Sequence, residues 1–211
     1  MHTQPPADMT NEDVEDAAVG RKRRQPGARR LQILQTLAAM LEDPRAEKVT
    51  TAALAARLDV SEAALYRHFA SKAQMFEGLI EFIESTVFRL LNEIAMQENS
   101  GREQIRTMVR MLLEFAQTNR GMTRVLIGDA LVNENDRLQE RMNQLFDRIE
   151  ASIKQAVRIA ITQAELPPDT DAGAQACLVV AYVTGRWHRY AKSGFGRSPI
   201  EGLELHLAAL A

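Results

Sequence analysis

From Leu31 to the end of the chain, apolar side chains recur every three or four residues, and no segment shows the strict alternation of a half-buried strand. That spacing lines one face of a helix, so the chain is predicted to be all-α, with about nine helices. Leu31, Leu34, Leu37, Ala38 and Leu41 mark a first helix that ends before Pro44. Thr50 or Thr51 can cap a second, carrying Leu54, Ala55 and Leu58, and Ser61 a third, carrying Leu65 and Phe69. Ser71 and Gln74 have capping-box spacing and open a long helix to about residue 96, with Phe76, Ile80, Ile83, Val87, Leu90 and Ile94 as its main stripe. Further helices are expected over residues 102–118, 122–131 and 135–165. The last of these carries the row Leu138, Met142, Leu145, Ile149, Ile153, Ala156, which suits a bundle core. Pro167 and Pro168 stop it. A helix from residues 169–171 to about 192 follows, and a second capping box, Ser198-Pro199-Ile200-Glu201, is expected to open a final one.

With 211 residues, 45 % of them hydrophobic, the chain can bury a substantial core. Its longest apolar run, residues 176–183, is far short of the roughly 20 residues that cross a bilayer. Residues 1–20 carry five acids and no apolar signal core, so the expected location is the cytoplasm. Cys177, the single cysteine, reads as a small core residue. The three expected parts are an arm over residues 1–27, a three-helix unit over 28–72 and a bundle over 73–211.

Charge is unevenly spread along a chain whose net charge is only −2. Residues 1–20 amount to −5, residues 21–72 to +6 and the remainder to −3. A basic segment beside a non-basic body is the footprint of a polyanion-binding module. Within it, TTAALAARLDVSEAALYRHFASK, residues 50–72, reads as helix, turn at Asp59 and Val60, and helix: a helix-turn-helix. A recognition helix buries one side and offers the other to the major groove. Here the free side is Glu62, Ala63, Tyr66 and Arg67. Small Ala63 allows close approach to a base edge or thymine methyl, and Tyr66, His68 and Lys72 can donate to phosphates. Thr50, Thr51 and Ser61 can add hydroxyl or backbone contacts at helix N-termini, and Arg29 and Arg30 can reach phosphates or the adjacent minor groove.

Around Leu65, Tyr66, His68, Phe69 and Lys72 the sequence resembles the TetR family of bacterial DNA-binding proteins, whose signature is Leu-Tyr-x-His-Phe-x-x-Lys. Asp59 departs from the glycine common in the family's turn, although aspartate accepts a left-handed backbone better than most residues. The stretches SEAALYRHFASKAQMFEGLIEFIES and NENDRLQERMNQLFDRIEASI resemble one subgroup, the nucleoid occlusion factors. That resemblance implies a nucleoid-associated dimer that binds palindromic sites on double-stranded DNA and, when DNA-bound, antagonises the tubulin-like division protein FtsZ. It also implies a partner-binding region that includes Phe82 and Asn119; Arg89 sits one position away from the subgroup's arginine.

Periodicity alone places Phe82 about 120° from the main stripe of its helix, beside Met75, Thr86, Arg89 and Glu93. Such a face either packs on a neighbouring helix or presents an aromatic anchor to a partner. No enzyme is expected, and no metal or cofactor: the four histidines are scattered, and no CxxC, HExxH, Walker loop or GxGxxG occurs. Trp187, His188 and Tyr190 read as core and interface rather than pocket residues. One helix-turn-helix reads one half-site, so a homodimer is expected, with Val179, Val183, Leu203 and Leu207 at its interface. A ligand-gated repressor is the alternative function; a lined apolar cavity would favour it, and a solid core with an exposed Phe82 the protein-partner reading.

Overall fold

The computed structural model describes residues 27–43, 49–132 and 134–210. Most of the expected arm, including Arg21–Arg24, and Pro44, Arg45 and Lys48 lie outside the described residues. Nine α-helices and one 3-10 turn are found among those described, and no strand.

The first helix, α1 (Ala28–Leu41), buries Ile33, Leu34, Leu37, Ala38 and Leu41. Leu31, expected on that stripe, lies at its edge and is exposed, while Ile33 takes the core position. Two short helices follow, α2 (Thr51–Arg57) and α3 (Glu62–Tyr66). Thr50 Oγ1 accepts from the Ala53 amide and Ser61 Oγ from the Ala64 amide, so both N-termini are capped as the sequence implies. At α4 (Lys72–Gln97), Ser71 Oγ accepts from the Gln74 amide. Gln74 Oε1 reaches back one residue further than a standard box, to the Ala70 amide. Its core stripe runs through Phe76, Ile80, Ile83 and Val87 to Leu91; Leu90 is only half-buried.

A tight turn at residues 98–100 returns α5 (Gly101–Thr118) along α4. A β-carbon at Gly101 would lie 2.2 Å from the Ala160 amide nitrogen, so glycine permits the close crossing of α5 on α7 (Asp136–Thr162). The expected helix over 122–131 is instead α6 (Arg120–Leu126), a left-handed Gly128, and a 3-10 turn at Asp129–Leu131. Gly121 is again required by packing, because a β-carbon there would stand 1.9 Å from the Ala38 carbonyl oxygen. The row Leu138, Met142, Leu145, Ile149, Ile153 and Ala156 of α7 is buried throughout. Asp171 Oδ1 accepts from the Gly173 and Ala174 amides and starts α8 (Ala172–Lys192).

The last helix, α9 (Leu203–Leu210), opens later than the Ser198 box predicts. Arg186 donates to the carbonyls of Ser198, Pro199 and Glu201 and Gly202 is left-handed, so residues 198–202 form turns rather than a helical start. Cys177, expected inside, is exposed on α8. One continuous core runs from Ile33 of α1 to Leu207 of α9. Among the described residues, no helix is long and apolar enough to cross a membrane.

Candidate nucleic-acid interface

The α2–turn–α3 unit is locked from both sides. Leu54, Leu65 and Phe69 are buried in the core beneath it, and Asp59 takes a left-handed φ of 53°, which turns the chain between the helices. On the outside, Thr51 Oγ1 donates to Glu62 Oε2 at 2.6 Å, joining the N-terminus of α2 to that of α3. Arg30 stacks 4.2 Å from the Phe69 ring centroid and donates to the His68 carbonyl, which ties α1 to the end of the recognition helix.

The expected site residues divide by what they already hold. Glu62, Ala63, Tyr66 and Arg67 lie together on the exposed side of α3, with Tyr66 45 % exposed. The side chains of Tyr66, Arg67 and His68 make no hydrogen bond among the described residues, so their donors are free for a ligand. The others are engaged: Arg29 with Gln32, Arg30 with His68, Thr51 with Glu62, Thr50 and Ser61 as caps, and Lys72 with Glu134 at 2.5 Å. Glu134 lies 62 residues away in sequence, and spacing carries no sign of it. What α3 presents is a short helix with a capped N-terminal turn, a small residue, and phenol and guanidinium donors around it, which suits a groove lined by acceptors and phosphates.

A second face lies on α4. Phe82 is 37 % exposed and stands outside the core, with its carbonyl accepting from Ser85 and Thr86. Arg89 pairs with Glu93 at 2.8 Å on the open surface. Met75, expected beside Phe82, is buried. Because α5 returns along α4, Asn119 at its end comes level with the part of α4 that carries Phe82; Asn119 Nδ2 donates to the Phe115 carbonyl.

Val179, Val183, Leu203 and Leu207, expected at a dimer interface, are buried inside the chain's own core. Both helices are apolar on more than one side, and these residues face inward. The outward apolar side chains are Leu178 on α8, 53 % exposed, and Leu205 on α9, 80 % exposed. Trp187 and Tyr190 are core residues, with Trp187 Nε1 donating to the Leu112 carbonyl, whereas His188 is exposed. Leu112, Leu145, Ile149, Val183 and Trp187 are all buried in the core. A cleft of about 400 Å³ is lined by Gln139, Phe146, Thr184, Trp187 and His188 of α7 and α8, together with Leu126, Ile127 and Gly128, so Trp187 and His188, expected not to line a pocket, do so. No group of three or more metal-ligating side chains occurs among the described residues.

Residues 33–79 match the model for bacterial regulatory proteins of the tetR family, and residues 100–210 the SlmA-like model, a tetracyclin repressor-like C-terminal domain. The chain is 48 % identical over 173 residues to the nucleoid occlusion factor SlmA of Idiomarina loihiensis, covering 82 % of this chain and 88 % of that protein. It is 45 % identical to the nucleoid occlusion factor SlmA of Alteromonas mediterranea, over 86 % of this chain and 93 % of that one. The fold is similar to the transcriptional regulator FadR from Bacillus subtilis, solved with stearoyl-CoA, with a TM-score of 0.73 at 12 % identity over 85 % of this chain and 96 % of that one. It is also similar to PfmR from Thermus thermophilus, a TetR family transcriptional regulator, with a TM-score of 0.72 at 17 % identity over the same shares.

Proposed function

The chain belongs to the TetR family and, within it, to the SlmA nucleoid occlusion factors, and from that premise we propose that it binds chromosomal DNA and, when bound, antagonises FtsZ assembly over the nucleoid. It is a DNA-binding regulator, not an enzyme. The observation that carries the reading is the exposed side of α3 and its C-terminal end, where Tyr66 and Arg67, with His68 just beyond, keep free donors next to a helix fixed by the Ser61 cap, by buried Phe69 and by Arg30. Residues 28–72 act as the DNA-reading part and residues 73–211 as the dimerisation and partner part. Arg67 and Glu62 face base edges, Ala63 admits close approach, and Tyr66, His68 and Lys72, supported by Arg29, Arg30, Thr50, Thr51 and Ser61, hold phosphates.

Two copies assemble about a two-fold axis through the outward sides of α8 and α9, anchored by Leu178 and Leu205, and read a palindromic site. FtsZ meets the face around Phe82 and Asn119, with Arg89 at its rim. The protein works in the cytoplasm on the nucleoid. Similarity to the SlmA relatives favours this reading over ligand-gated repression, for which the cleft lined by Phe146, Thr184, Trp187 and His188 would be the ligand site. Binding to chromosomal fragments selected by the protein itself tests the DNA reading. Arg67→Ala is expected to weaken binding at least tenfold and relax one base position; unchanged affinity and selectivity would remove α3 from the interface.

A further inference from the structure

Lys72 joins the DNA-reading helices to the body of the molecule by charge. It is the first residue of α4, immediately after the recognition unit, and Glu134 lies just before α7. Their 2.5 Å contact is partly enclosed, with side chains 22 % and 11 % exposed, and the ammonium also stands 5.5 Å from the Phe76 ring centroid. The Arg89–Glu93 pair, by contrast, lies in open solvent. Attraction between partly enclosed charges is screened less by water and salt than between open ones. One ammonium has three donors but a single charge, and it cannot neutralise a carboxylate on the body and a phosphate on DNA in full at the same time.

We propose that Glu134 competes with the DNA backbone for Lys72 and thereby sets the affinity of the whole protein for DNA. This rests on the DNA-binding reading above. In the free chain Glu134 holds Lys72 against the body. On DNA the ammonium turns to a phosphate, and Glu134, at the entrance to α7, becomes an unpaired carboxylate. The free and DNA-bound chains then differ in charge where the recognition unit joins the body, at the edge of the DNA contact. Linkage makes this reciprocal: a cationic partner group that takes Glu134 strengthens DNA binding by the same factor by which DNA strengthens that contact.

The test compares the full-length wild type, Glu134→Gln, Lys72→Ala and the double variant on one selected duplex by fluorescence anisotropy, with melting temperatures recorded for each. Glu134→Gln is expected to bind up to about fivefold more tightly than wild type, the fold-change that the upper end of a solvent-reachable ion pair's worth corresponds to. Lys72→Ala is expected to bind more weakly, and the gain is expected to vanish in the double variant. If Glu134→Gln melts early, Glu134→Asp, one methylene shorter, is expected to show a smaller gain of the same sign. Unchanged or weaker binding by Glu134→Gln and Glu134→Asp while wild type binds normally overturns the competition alone. So does a gain that persists without Lys72. Failure of all four proteins to bind any selected duplex overturns the DNA reading as well.

Discussion

Asp59 shows what a single residue contributes to the interface. Its φ of 53° is the left-handed region, which costs most L-residues about 1–2 kcal/mol and aspartate less. Asp59→Gly is therefore expected to raise stability by up to about 1 kcal/mol without moving α3, and Asp59→Val to lower it by a similar or larger amount, both read from denaturant midpoints. Two carboxylates respond to acid. Asp171 is held below the usual carboxylate range by the amides of Ala174 and Gly173. Glu165 is held low by the Ser100 hydroxyl and the Arg102 amide. A carboxyl depressed on folding stabilises the fold above its ordinary value and loses that contribution as pH falls through its lowered one. The melting temperature is thus expected to fall on acidification below about pH 4, and Asp171→Asn to flatten that limb; an equally steep limb in the variant would assign the acid response elsewhere.

At the scale of helices, the legible features were those that depend on neighbours in sequence. The caps at Thr50, Ser61, Ser71 and Asp171 each need only a side-chain oxygen and an amide two or three residues on, and all four form. Ser198 has the same signature and fails, because Arg186, 12 residues earlier in sequence, binds the carbonyls of that segment. Apolar spacing located the α7 row but could not choose between two apolar sides of α8 and α9. Val179 and Leu207 went inward, and Cys177 and Leu178 outward. Long-range pairings such as Lys72–Glu134 leave no local trace at all. α6 packs closely on α1 at Gly121, and Gly121→Ala would force its β-carbon onto the Ala38 carbonyl. A loss of about 1–3 kcal/mol is expected, with weaker DNA binding from a displaced α1; a wild-type melting curve would show that α6 yields freely.

Across the whole molecule, one chain presents a reading helix on its N-terminal part, an aromatic face on α4 and an apolar side on α8 and α9. Leu178 and Leu205 are too exposed to stabilise the monomer, so Leu178→Asp with Leu205→Asp is expected to leave the fold intact and halve the mass seen by light scattering. A wild type already monomeric at micromolar concentration would contradict the dimer. The central claim, that DNA occupancy licenses antagonism of FtsZ through the α4 face, is tested most directly by sedimenting purified FtsZ polymers with this protein, with and without its selected DNA, and with Phe82→Ala beside the wild type. The account predicts loss of polymer only with wild type plus selected DNA, and normal DNA binding but no loss of polymer with Phe82→Ala. Tight DNA binding by the wild type with no effect on the polymers, or an effect that survives Phe82→Ala, would contradict it.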